Sequence, residues 1–190
     1  LLDKILPIIE DQEYDVQIED NRQPHDFQFV LIDESLHFSK SWGAKHPLAG
    51  QPIVLRDYQV KAINKFLQEP QCLQEIATGA GKTLITATLS QLVQPYGRSI
   101  VIVPNKSLVS QTEEDYKTLG LDVGVYYGER KEFDKKHTIC TWQSLNVLLK
   151  KTKKYEAEVS IGDFLQDVVC VMVDEVHQAK ADVLKTLLTG

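Results

Sequence analysis

From residue 57 onward, amphipathic stretches with helical spacing alternate with short runs that are apolar on both faces. DYQVKAINKFL (57–67), KTLITATLSQLV (82–93) and SLVSQTEEDYKTL (107–119) carry apolar residues at helical spacing, as do the stretches near 143–150 and at 179–188, and Pro95 closes the second. Between them, LQEIA (73–77), SIVIVP (99–104), VGVYY (123–127), HTICTW (137–142) and VVCVMVDE (168–175) read as strands. Strands apolar on both faces, alternating with helices, predict an α/β fold with a mostly parallel sheet flanked by helices.

The first fifty residues are less regular. Residues 1–12 have helical spacing interrupted by Pro7, and 14–18 alternate like a short strand. The run 19–26 (EDNRQPHD) reads as a linker. Residues 27–42 resume a helix-like pattern through Phe27, Val30, Leu31, Leu36 and Phe38, and a Pro- and Gly-containing loop follows at 43–52. This part is expected to form a small α+β segment ahead of the larger sheet. No internal repeat is present.

Composition is that of a globular chain, with 43% hydrophobic and 25% charged residues among 190. The net charge of −6 at first argues against a nucleic-acid binder, which usually carries a basic footprint. Its distribution removes that objection: residues 1–50 hold four basic and ten acidic residues, and residues 51–190 hold 17 of each. One dense basic cluster, Lys150, Lys151, Lys153 and Lys154, reads either as a solvated loop or as a contact to phosphates. No apolar run reaches the ~18 residues of a membrane span. The three well-separated cysteines, Cys72, Cys140 and Cys170, read as reduced buried thiols of an intracellular protein, in host cytoplasm if the source is viral. The start Leu-Leu-Asp, without Met, reads as an excerpt of a longer polypeptide.

The strongest motif is Thr78-Gly79-Ala80-Gly81-Lys82-Thr83, between an expected strand and an expected helix. Glycines let successive backbone N–H groups curl toward phosphate oxygens, and the helix start adds partial positive charge. Lys82 supplies a full charge for the β- and γ-phosphates, and the Thr83 hydroxyl can ligate Mg²⁺. The long form G-x-x-x-x-G-K-[ST] fails at Ile76, while the short form T-G-x-G-K-T is intact.

Such a loop needs a second strand ending in an acid, and Val171-Met172-Val173-Asp174-Glu175-Val176-His177 provides it. Asp174 is placed to hold Mg²⁺, Glu175 to orient or deprotonate an attacking water, and His177 to bond across to a neighbouring element. A GTPase is disfavoured because Asn105-Lys106-Ser107-Leu108 lacks the final Asp of a guanine motif, and because no Gly stands three residues after Asp174.

TGAGKT with DEVH resembles the superfamily 2 helicases and translocases of the DExH type, over about residues 53–188. Three weaker elements fall in the family's order. Leu55-Arg56-Asp57-Tyr58-Gln59 resembles the adenine motif, so that Gln59 would read the adenine edge with Arg56 near the base. Pro104, Leu108 and Gln111 resemble P-x-x-x-L-x-x-Q, and Thr141-Trp142-Gln143-Ser144-Leu145 resembles T-x-Q-S-L, both of which touch the nucleic-acid strand. By this resemblance Pro104, Asn105, Lys106, Gln111, Thr141, Trp142 and Gln143 would lie at that strand. The T-W-Q-S and D-E-x-H combination looks most like the phage recombination and repair helicases. Trp42 stands at the spacing of an adenine-stacking aromatic in some members, but packing onto the core is the plainer reading. No Ser/Thr-Ala-Thr element follows DEVH; Leu188-Thr189-Gly190 only hints at one.

The resemblance implies three parts: residues 1–20 ending an accessory domain, 21–52 a linker with a helix, and 53–190 the first RecA-like domain, preceding a second one that shares the ATP cleft. It implies ATP and Mg²⁺ as cofactors, nucleic acid (DNA first) as partner, no membrane, and ATP hydrolysis by the full-length protein with little by this piece alone. The alternatives are a restriction- or remodelling-type translocase that does not separate strands, and a non-catalytic nucleotide-sensing module.

Overall fold

The computed structural model describes residues 2–12, 14–17, 27–42, 48–69 and 71–176. The linker at 18–26, most of the loop at 43–47, His177, the helix expected at 179–188 and Leu188-Thr189-Gly190 lie outside the described residues.

The expected parallel sheet is present. Strands β3 (Arg98–Val103), β4 (Val123–Tyr127), β6 (His137–Thr141) and β7 (Val168–Val173) join a short β5 (Arg130–Lys131) in the order β5-β4-β6-β3-β7. All pairings are parallel except β4 with β5. The helices are α2 (Asp57–Gln68), α3 (Lys82–Val93), α4 (Lys106–Thr118), α5 (Trp142–Lys153) and a short α6 (Ile161–Leu165).

Continuous apolar runs serve two cores because the strands sit in the middle of the fold. Val101 and Val103 of β3 join a cluster with Ile63, Ile85, Ala87, Val93 and Val109 of α2, α3 and α4. Ile100 and Ile102 point the other way, toward Leu145 and Leu148 of α5 and Phe164 of α6. Cys140 and Cys170 are buried on these opposite faces, and burial raises both thiol pKa values, to about 12 for Cys170. Below the sheet, Arg98 ties the strand starts together by donating to the carbonyls of Lys135, Phe164 and Gln166 at 3.0–3.2 Å.

Three expected elements differ, the first being the short strand expected at 14–18, where residues 14–17 take no regular structure. Residues 73–77 form no strand: Leu73 is exposed, no ladder bonds are made, and Gln74 instead donates to the Ala62 carbonyl of α2 at 2.9 Å. Residues 27–42 form no helix. The stretch 27–36 is irregular, and β1 (His37–Ser41) pairs antiparallel with β2 (Pro52–Val54). A competing side-chain bond set decides this. Asn64 of α2 clasps Ile32, accepting from its N–H at 2.9 Å and donating to its carbonyl at 2.8 Å. Tyr96 donates to the Gln28 carbonyl at 2.8 Å and packs on Phe27 and Phe29. Phe29, Ile32, Leu36 and Trp42 thereby line the larger core, so Trp42 packs as a core residue.

At the N-terminus, α1 (Leu2–Glu10) contains Pro7, and residues 14–17 have no regular structure. No described helix is long and apolar enough to cross a membrane.

Candidate functional site

The parallel strands end at a common edge, and the predicted motifs follow those ends. Val103 pairs with Thr141 and Ile102 with Val173, so Pro104–Lys106, Trp142–Gln143 and Asp174–Glu175 leave the same side of the sheet. This is where ligands bind in open α/β sheets. The Asp174 N–H still donates to the Ile102 carbonyl at 2.9 Å, fixing the carboxylate one residue beyond the strand.

The loop at 77–81 delivers α3 to this edge. Gly79 and Gly81 take left-handed backbones with φ of 80° and 78°. At Gly81 a side chain is excluded twice, since a Cβ would also lie 2.5 Å from Gln59 Nε2. The N–H groups of Leu84 and Ile85 both return to the Gly81 carbonyl. Those of Gly79, Gly81, Lys82 and Thr83 make no hydrogen bond among the described residues, leaving the donors of a helix start facing outward.

Lys82 and the β7 carboxylates, 93 residues apart, meet here. Lys82 Nζ donates to Glu175 Oε1 at 2.5 Å and lies 3.3 Å from Asp174 Oδ1. The Glu175 bond raises the Lys82 pKa despite partial burial, so the ammonium stays charged. Glu175 has a left-handed backbone, φ 51°, and its N–H donates to Asp174 Oδ1 at 3.0 Å. A bulky side chain held in that region marks local strain, which concentrates at functional sites.

Gln59 is only 3% exposed, and its amide is committed to the protein. Its Oε1 accepts from the Arg56 N–H at 2.9 Å, satisfying a backbone donor at the start of α2, and its Nε2 donates to the Ala80 carbonyl at 3.0 Å. The Tyr58 hydroxyl donates to the same carbonyl at 3.0 Å and accepts from Arg56 Nη1 at 3.1 Å. Two side chains of one motif thus hold the crown of the phosphate loop. The sequence marked Tyr58 as part of that motif but not as a loop contact. A cleft of about 660 Å³ opens beside the loop, lined by Tyr58, Lys61, Gln74, Ile76, Thr78 and Ile85 among others.

The nucleic-acid candidates divide by exposure. Lys106, Gln111 and Gln143 are exposed and Pro104 is half-buried. Lys106 Nζ sits 5.6 Å from the Tyr127 ring centroid. Asn105 and Thr141 are helix caps: the Asn105 side chain accepts from Leu108 N, and the Thr141 hydroxyl accepts from Ser144 N. Trp142 is 6% exposed and packs in the smaller core, so its ring is not presented for stacking. Its Nε1 is the one buried side-chain polar atom among the described residues without a hydrogen-bond partner.

Residues 52–189 match the family model described as "Type III restriction enzyme, res subunit". A DNA 3'-5' translocase, XPB2, of Sulfurisphaera tokodaii is 31% identical over 99 residues, which are 52% of this chain and 22% of that protein. The chain therefore spans about a fifth of that curated relative. Two structures of the UvsW helicase of bacteriophage T4 share the fold. One has a TM-score of 0.59 at 15% identity, covering 98% of this chain and 74% of that one. The other has 0.60 at 16%, covering 98% and 42%. With a phosphate loop, an acid-ended strand and a parallel sheet in place across the matched region, the chain belongs to the family of the type III restriction enzyme res subunit.

Proposed function

We propose that this chain is the ATP-binding lobe of a DNA translocase or helicase, and that Lys82, Thr83, Asp174 and Glu175 form its hydrolytic half-site. The observation that carries the reading is the convergence of Lys82 on Asp174 and Glu175 at the strand-end edge, beside four unbonded loop amides.

The residues present fit a nucleoside triphosphate with Mg²⁺. The Gly79, Gly81, Lys82 and Thr83 amides and the Lys82 ammonium match phosphate oxygens, while the Thr83 hydroxyl and Asp174 carboxylate match a hard cation. Bound Mg²⁺ supplies charge neutralisation at the phosphates. As phosphate arrives, the Lys82 ammonium exchanges Glu175 for phosphate oxygens. Glu175 Oε1 then accepts a hydrogen bond from water and aims it in line with the γ-phosphorus. Gln59, expected from the sequence to read the adenine edge, has its amide bonded to the Arg56 N–H and the Ala80 carbonyl and is assigned instead to holding the loop on α2. His177 and a role for Arg56 near the base belong to this proposal. So do a second RecA-like lobe completing the cleft, an intracellular setting, and strand contacts by Lys106, Gln111 and Gln143 beside the Thr141 and Asn105 caps.

DNA is the proposed track because the matched family is a restriction subunit and the named relative a DNA translocase. These names favour translocation along DNA, and a recombination or repair role is the narrower extension. ATP turnover by the full-length protein, with and without DNA, tests the reading. DNA-stimulated hydrolysis that disappears in Lys82→Ala supports it, and equal turnover in the two proteins refutes it. Displacement of a third strand without separation of a duplex would assign translocation, and duplex separation would assign helicase action.

A further inference from the structure

The lysine cluster at the end of α5 takes no part in the nucleotide site. Helix α5 starts at the nucleotide edge and, at 12 residues, runs roughly 18 Å toward the opposite edge of the sheet. Its exposed face is a stripe through Gln143, Val147, Lys150, Lys151 and Lys154, at the spacing of one helix side. Lys150, Lys151, Lys153 and Lys154 are all exposed, and none forms an ion pair among the described residues. Cations near a helix C-terminus are favourable, but four within five residues repel one another at i,i+3 and i,i+4.

Tyr155, which follows, is the second observation. It occupies the left-handed position of a Schellman turn, with φ 59°. Its N–H donates to the Thr152 carbonyl at 3.1 Å, and the Glu156 N–H donates to the Lys151 carbonyl at 2.9 Å. Glycine is the usual residue there, because a Cβ is strained in this conformation. Tyr155 is 97% exposed, so no burial of its ring offsets the strain. Folding stability gives no reason for a tyrosine at this position.

We propose that Lys150, Lys151, Lys153, Lys154 and Tyr155 form a second nucleic-acid contact, in which the lysines take backbone phosphates and Tyr155 offers its ring to an unpaired base. This rests on the reading of the chain as a DNA motor. Unpaired lysines beside an exposed aromatic ring match the combination that holds single strands. The stripe also continues from Gln143, so a DNA segment leaving the strand-end edge along α5 meets the lysines between about three base steps (Lys150) and about five (Lys154) at 3.4 Å each. An acidic protein surface would match the charge but gives no use for a strained, solvent-exposed ring.

The test uses the full-length protein, a labelled DNA duplex and a labelled DNA single strand, with affinity measured against salt concentration. Replacing all four lysines by Gln is expected to reduce the slope of log K against log[salt] by about 0.9 for each duplex phosphate no longer neutralised, and by about 0.7 for each phosphate of a single strand. The pairs Lys150→Gln with Lys151→Gln, and Lys153→Gln with Lys154→Gln, are each expected to give part of that change. Tyr155→Gly is expected to keep or raise the unfolding midpoint while weakening single-strand binding several-fold. An unchanged slope in folded lysine variants overturns the proposal, including the case of an acidic protein as the true occupant. Unchanged single-strand affinity in Tyr155→Gly overturns the stacking role. If Lys106→Ala with Gln143→Ala lowers the slope while the cluster variants do not, this second contact alone fails; if the parent protein does not bind DNA, the functional reading fails.

Discussion

Lys82 Nζ lies 2.5 Å from Glu175 Oε1, joining the first residue of α3 to the second residue beyond β7. The pair holds the carboxylate assigned to the water against the ammonium assigned to the phosphates. On the proposed reading, hydrolysis requires this bond to open, which would couple phosphate arrival to release of Glu175.

Lys82→Ala removes the positive charge proposed to meet the phosphates, together with its contacts to Asp174 and Glu175. ATP affinity is expected to fall by at least ten-fold, about 1.4 kcal/mol. Titration of full-length protein with a fluorescent ATP analogue measures this, and parental affinity would contradict the phosphate role.

Gly81→Ala tests the packing of loop against α2. The new methyl meets Gln59 Nε2 and forces a left-handed alanine, at a cost of about 1–2 kcal/mol for the backbone alone. Urea unfolding should show the loss. Adding Gln59→Ala removes the clash but not the strain, so the double variant should cost less than the sum of the two singles.

Asn64→Leu should loosen the segment before β1. It removes both bonds to Ile32, whose side chain packs on the larger core. The expected loss is about 1–3 kcal/mol by chemical denaturation, with faster amide exchange at Ile32. Unaltered exchange there would show that the clasp does not order the segment.

Stability should also depend on pH through His137. The ring is fully buried, with Nδ1 2.9 Å from Ser99 Oγ and Nε2 3.1 Å from Gln94 Oε1, and burial lowers its pKa to about 4. The unfolded chain takes a proton near pH 6.5, and the folded ring does so only near 4. Acid therefore favours unfolding across that window, by about 1.4 kcal/mol per pH unit. Glu113 extends the trend lower: hydrogen bonds from Arg130 hold its pKa at about 2, so its contribution is lost as pH falls from 4.5 toward 2. Denaturation of His137→Gln at pH 7 and pH 5 should show a smaller difference than the parent.

Where side chain and backbone follow one period, the fold was legible in the sequence. Helix α3 spans the expected 82–93 and β4 the expected 123–127. That Lys82 would meet Asp174 and Glu175 was legible, because a phosphate loop and an acid-ended strand imply each other across any spacing. The misses arise where a distant side chain supplies the backbone bonds. Asn64 holds Ile32 extended against a helical pattern, and Gln74 bonds α2 in place of a sheet ladder. Trp142 had a motif's address but a core residue's burial, which only the packing of α5 on β6 reveals. The second bond to the Ala80 carbonyl, from Tyr58, depends on how the loop meets α2, and no periodicity encodes that.

Single-turnover ATP hydrolysis by full-length Glu175→Gln, at saturating DNA, tests the central claim most directly. The amide keeps the side chain's shape but not its basicity. Nucleotide binding should remain within a few-fold of the parent while the chemical step slows by about 10²–10⁴-fold. Hydrolysis at the parental rate would contradict the assignment of Glu175 to the water.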